Sequence, residues 1–64
     1  MRTEKFYHNR LEKYYRKHYG QYDDTIEWFI NPKINIWRFY IPEEETIVYL
    51  ECFDNGMIKE TIYR

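Results

Sequence analysis

Apolar and aromatic positions return every three or four residues between Arg2 and Tyr22, then from Thr25 onward fall into short alternating runs broken by turn residues. At about 100° per residue, Tyr7, Leu11, Tyr14, Tyr15, His18 and Tyr22 gather within about 100° of arc, the mark of an amphipathic surface helix. Thr3 is its expected N-cap. Gly20, after a turn carrying Arg16, Lys17 and His18, is the expected left-handed residue that stops it. The pattern predicts one helix over about 3–19.

Beyond it, Asn31-Pro32-Lys33, Pro42 with three glutamates, and Asp54-Asn55-Gly56 are turn signals. They separate β-branched and aromatic runs at about 25–30, 34–41, 46–53 and 57–63. Loops this short cannot carry crossovers, so the four strands form an antiparallel meander. Side-chain chemistry sets the register. A two-residue Asn-Gly turn would oppose Glu51 to Glu60, whereas a three-residue Asp-Asn-Gly loop with Gly56 left-handed opposes Glu51 to Lys59. The second is expected. It sets Val48 against Ile62 and Cys52 against Ile58. A four-residue loop at 42–45 then sets Phe39 against Val48 and Trp37 against Leu50, and a turn centred on Pro32-Lys33 sets Trp28 against Trp37 and Phe29 against Ile36.

One sheet face therefore collects Ile26, Trp28, Ile30, Trp37, Phe39, Ile41, Val48, Leu50, Cys52, Ile58 and Ile62, and this is the face the helix should cover. The expected fold is α+β: one N-terminal amphipathic helix packed on a four-stranded antiparallel meander sheet, a single domain over 1–64. The other face carries Glu27, Phe29, Ile36, Arg38, Tyr40, Ile47, Tyr49, Glu51, Lys59, Thr61 and Tyr63. One helix cannot cover both faces. An exposed antiparallel face is usually plainly polar, so a mixture of large apolar groups and single charges reads as an interface. Its expected binding residues are Phe29, Ile36, Arg38, Tyr40, Ile47, Tyr49 and Tyr63, with the Glu43, Glu44 and Glu45 loop as an acidic knob.

Charge adds a second surface. Arg2, Lys5, Arg10, Lys13, Arg16 and Lys17 fall on one arc of the helix, so residues 2–19 carry six basic groups against Glu4 and Glu12. Residues 20–64 carry four against nine acids, and the formal total of −1 hides this polarity. The arc could contact phosphates, which makes nucleic-acid binding the alternative reading. The acidic balance of the rest of the chain weighs against it.

Sixty-four residues bury only about 60% of the surface of the unfolded chain, so large side chains must supply the packing. Eight Tyr, four Phe and two Trp do so against two Leu. The single cysteine, Cys52, excludes an internal disulfide and points to a reducing, cytoplasmic setting. No apolar run approaches the roughly 20 residues of a membrane span.

Catalytic parts are scarce. His8 and His18 lie about 80° apart on the helical wheel, Cys52 faces the core, and no nucleophile, base and orienting group recur at recognisable spacing. One cysteine and two distant histidines do not make a zinc set, Asp23-Asp24 reads as a solvated turn, and two glycines cannot build a phosphate-cradling loop. The expectation is a non-enzymatic protein-binding module or inhibitor with no cofactor. Its expected partners are a second copy of itself, as a homodimer, or a larger target that it blocks. Its size and tyrosine richness are compatible with an accessory protein of a phage or other mobile element.

Overall fold

A computed structural model describes residues 2–64. Helix α1 spans Glu4–Tyr19, followed by a 3-10 turn at Gly20–Tyr22. Four strands, β1 (Glu27–Trp28), β2 (Ile36–Ile41), β3 (Thr46–Cys52) and β4 (Ile58–Tyr63), form one antiparallel sheet in chain order. The α+β architecture is as expected.

The start of α1 follows from its cap. Thr3 is extended, and its Oγ1 accepts from the Phe6 N–H at 3.2 Å, satisfying one of the orphan donors of the first turn. Glu4 at the first turn and Arg16, Lys17 and His18 at the last complement the helix dipole. The C-terminus differs from expectation. Gly20 is right-handed (φ −55°, ψ −30°). Instead of a left-handed stop, the chain tightens: the Asp23 N–H donates to Gly20 O at 3.3 Å and the Thr25 N–H to Tyr22 O at 2.9 Å. This extra turn carries Tyr22 over to the sheet, where its hydroxyl donates to Glu44 at 2.5 Å.

The buried line on α1 is Tyr7, Leu11, Tyr15 and Tyr19, each four residues from the last. It drifts around the helix by about 40° per step and follows an i±4 ridge, which is inclined to the axis. By the last turn the contact has therefore moved off the centre of the predicted stripe. His18, expected at the boundary, is exposed and lies against Tyr14 with ring centroids 4.2 Å apart, while Tyr19 takes the buried place.

The β2–β3 and β3–β4 registers are the expected ones, including Trp37 with Leu50, Phe39 with Val48, Val48 with Ile62 and Glu51 with Lys59. Gly56 has φ 87°, and the Phe53 N–H donates to Met57 O at 2.9 Å, closing the three-residue loop. Alternation along β3 is complete: Thr46, Val48, Leu50 and Cys52 are buried and the residues between them half-buried. Buried Thr46 donates its hydroxyl to Glu44 O at 3.0 Å.

The first hairpin is corrected by two residues. Trp28 pairs with Phe39 and Glu27 with Tyr40, and the Phe29 N–H donates to Arg38 O at 3.1 Å. Phe29 therefore lies beside Arg38, not opposite Ile36. The cause is at residues 29–35, which form an open connection where a tight turn on Pro32-Lys33 was expected. Asn35 is drawn to β3 instead: its backbone carbonyl accepts from the Cys52 N–H at 2.8 Å and its side-chain amide donates to Cys52 O at 3.1 Å. A shift of two preserves the faces, as a shift of one would not. It also takes Ile30 out of the sheet, leaving it 92% exposed where core burial was expected. Trp28 and Ile62, also expected in the core, are likewise more than a third exposed, Trp28 at the free edge of the sheet and Ile62 at the far end of β4.

The core lies between α1 and the sheet: Tyr7, Leu11, Tyr15, Tyr19, Phe39, Ile41, Val48, Leu50 and Cys52. Its aromatic part is continuous. Tyr15 meets Phe39 edge-on at 5.5 Å, Tyr19 meets Phe39 at 5.0 Å, and Trp28 lies 4.9 Å from Phe39. Such pairs contribute about 0.5–1.5 kcal/mol each beyond the area they bury, the kind of gain a short chain needs.

Candidate interaction surfaces

The face of the sheet away from α1 presents Ile36, Arg38, Tyr40, Ile47, Tyr49 and Tyr63, with Phe29 at the β1 end. Strand pairing sets Arg38 beside Tyr49, Tyr40 beside Ile47, and Ile47 beside Tyr63. The Arg38 guanidinium carbon is 5.8 Å from the centre of the Tyr49 ring, and Tyr49 meets Tyr63 edge-on at 5.5 Å. The central residues shield one another to half-burial, whereas Phe29 and Tyr63 are exposed. No helix among the described residues packs on this face. Single charges punctuate it: Glu51 opposite Lys59 across β3–β4, and Glu27 beside Tyr40 at the edge.

The acidic loop closes at the end of β2. The Glu44 N–H donates to Ile41 O at 3.1 Å and the Glu45 N–H to Pro42 O at 3.2 Å, with Glu45 at φ 52°. All three glutamates are exposed, but they are not equivalent. Glu44 holds the Tyr22 hydroxyl, raising the phenol pKa above its ordinary value.

The basic arc is divided. Arg2 precedes α1, and its Nε donates to Asp54 O at 3.0 Å while its guanidinium covers Phe6 at 4.5 Å. Arg10 lies 5.7 Å from the same ring and packs against Gly56. Arg16 pairs with Glu12 at 3.0 Å one helical turn away. Lys5, Lys13 and Lys17 are exposed. Phe6, Asn9, Arg10 and Lys13 line an open recess of about 460 Å³. An acid that sequence reading left outside the arc thus engages Arg16, and the β3–β4 turn engages Arg2 and Arg10.

The groups capable of acid–base or nucleophilic chemistry are dispersed. His8 lies against Trp37 at 5.2 Å and 4.0 Å from Glu12, whereas His18, ten residues further along α1, lies against Tyr14. The Cys52 thiol is buried, and burial pushes its pKa up, which disfavours the nucleophilic thiolate. Among the described residues, no group of three or more His, Cys, Asp or Glu is disposed to hold a metal ion.

Two features were not anticipated. Three tyrosines reach carboxylates far along the chain: Tyr7 donates to Asp54, Tyr19 to Glu60 and Tyr22 to Glu44. Together they fasten α1 and its 3-10 extension to three different parts of the sheet. The second is a groove of about 450 Å³ at the free edge of the sheet, between α1 and the β1–β2 connection. Tyr15, Trp28, Phe29 and Trp37 form its walls, with Glu12, Arg16, Asn31 and Arg38 around them. Arg38 Nη2 donates to the Ile30 carbonyl, but Arg38 Nε and Asn31 Nδ2 are shielded from solvent with no acceptor. An unsatisfied buried donor typically costs about 1–3 kcal/mol. The richness in Trp was the one sequence signal for this groove, and the two-residue error in β1 register obscured where it lay.

Comparison with protein-family models, with characterised proteins and with solved structures gave no significant match in any of the three.

Proposed function

We propose that this chain is a small non-enzymatic protein-binding module that acts through the open face of its sheet and the adjoining Glu43–Glu45 loop. One observation carries the reading: Ile36, Tyr40, Ile47 and Tyr49 form a contiguous apolar and aromatic strip on a face that no helix of the described residues covers. Exposed lysines promote solubility, but aromatic residues on an open sheet do not, and contiguous patches of this type mark interaction sites. The acidic loop gives the strip a charged flank to set the orientation of a partner.

The partner most directly testable is a second copy, joined face to face with twofold symmetry. A heterologous target that the domain blocks is the other form of the same reading, in keeping with an accessory protein or inhibitor of the kind a phage or mobile element carries. No described helix is long and apolar enough to cross a membrane, and we place the protein in the cytoplasm. Nucleic-acid binding through Arg2, Lys5, Arg10, Lys13, Arg16 and Lys17 ranks second, because Arg2, Arg10 and Arg16 already have acceptors or rings of their own.

Sedimentation velocity across micromolar concentrations tests the first reading. A concentration-dependent dimer that Ile47→Glu and Tyr49→Ala abolish, and that Lys13→Glu with Lys17→Glu leaves intact, supports it. A dimer indifferent to the sheet variants would remove the strip as the interface.

A further inference from the structure

The edge groove is a second site, sharing Phe29 and Arg38 with the open sheet face, and we propose that it binds a free carboxylic acid carrying a flat aromatic ring. The walls select an aromatic ring. Trp28 and Trp37 meet at 88° with centroids 5.4 Å apart, so they form a corner: a flat ring can stack on one indole and meet the edge of the other. At about 450 Å³ the space is of small-molecule size.

Charge and hydrogen bonding select the carboxylate. Arg16 and Arg38 against Glu12 give the lining one net positive charge, matched by a monoanion. Arg38 Nε and Asn31 Nδ2 both lack an acceptor, and the two oxygens of a carboxylate are acceptors only. The Asn31 amide cannot satisfy itself by flipping, because its Oδ1 already accepts from the Lys33 N–H at 3.2 Å. Neither nitrogen touches solvent, so the carboxylate reaches them only when both side chains turn toward the groove, exchanging the Asn31–Lys33 and Arg38–Ile30 hydrogen bonds for bonds to the ligand.

Trp28 and Trp37 are the only tryptophans in the chain, so intrinsic fluorescence reports directly on the groove. Titration with phenylacetate is expected to give a saturable change in emission. Phenylacetamide, with the same ring and no charge, is expected to bind at least about tenfold more weakly, a difference of about 1.4 kcal/mol, and acetate to give no change. Asn31→Asp keeps the acceptor for Lys33, removes the donor and adds a negative charge. It should weaken phenylacetate at least about tenfold while leaving phenylacetamide and the far-UV circular dichroism unchanged. Ile47→Glu, on the other face of the sheet, should bind phenylacetate as the native chain does, so this site and the sheet interface fail independently. Equal affinities for the acid and its amide, no saturation up to about 10 mM phenylacetate, or an unaltered Asn31→Asp variant would each overturn the proposal.

Discussion

The Tyr7 hydroxyl donates to the carboxylate of Asp54, joining the first turn of α1 to the β3–β4 loop across 47 positions of chain. The same hydroxyl accepts from the Arg2 N–H at 2.9 Å, and the Arg2 side chain in turn donates to the Asp54 carbonyl. Tyr7 thus secures the start of the helix and the tightest turn of the sheet together, while its ring fills the core beneath. Tyr7→Phe keeps the ring and removes only the hydroxyl. It and Asp54→Asn should each lower the melting temperature. The double variant should be less destabilised than the sum of the two, as expected of groups in direct contact. Thermal denaturation of the four species checks this, and strict additivity would deny the coupling.

Stability should fall on both sides of neutrality. The Tyr7 hydroxyl holds the Asp54 carboxyl below its ordinary value of 3.8. Below that value the unfolded chain takes up a proton that the folded chain refuses, so this contribution fades as the pH falls through the lowered folded value. At the alkaline end the phenols are raised above 10.0, Tyr15 and Tyr19 chiefly by burial, Tyr7 chiefly by Asp54 and Tyr22 chiefly by Glu44. Above pH 10 the unfolded chain releases protons that the folded chain retains, so stability declines as the pH rises further. Urea midpoints measured from pH 2 to 12 should show a plateau between these flanks, with the alkaline flank reduced in Tyr19→Phe.

Leu11 is fully buried at the centre of the α1 ridge, between the aromatic cluster and the aliphatic part of the sheet. Leu11→Ala should cost about 2–5 kcal/mol. A domain of this size has a total stability of only roughly 3–10 kcal/mol, so the variant should be substantially unfolded in mild urea. Circular dichroism at the native urea midpoint would show it.

Gly56 adopts φ 87°, and a Cβ there would approach Arg10 Cζ to 2.9 Å. The guanidinium can move aside, but the backbone conformation cannot be relieved in that way. Gly56→Ala should therefore destabilise by about 1–2 kcal/mol, and Arg10→Ala combined with it should recover little of the loss. Full recovery in the double variant would assign the cost to the contact with Arg10 instead of to the backbone.

Lys13→Glu with Lys17→Glu reverses two exposed positions at little cost to folding. It decides the rank of the second reading. Any affinity of the native protein for nucleic acid that falls steeply with salt and vanishes in this variant would come from the helix face, since each neutralised phosphate releases counterions. The expected result is weak binding that the sheet variants and the helix variants alter equally little.

The sequence by itself determined the features that depend on neighbours along the chain. Thr3 caps α1 because its side chain reaches the Phe6 N–H three positions on. The β3–β4 register follows from Gly56, since only a left-handed residue closes a three-residue loop without slipping Glu51 onto Glu60. The period of two then placed Arg38, Tyr40, Ile47 and Tyr49 on the open face, and the proposed interface was legible to that extent. Tertiary structure decided what depends on distance and direction. The oblique ridge of α1 chose Tyr19 over His18, because a wheel records angle and not the crossing of a helix over strands. Hydrogen bonding of Asn35 to β3 fixed the length of the first connection and so the β1 register, which no local turn preference specified. The groove exists only where Tyr15 and Arg16 on the helix meet Trp28, Asn31 and Trp37, and the three tyrosine–carboxylate pairs only where the fold brings phenols to acids. Local chemistry writes caps, turns and alternation into the chain, but contacts between distant segments acquire their geometry only when the helix settles on the sheet.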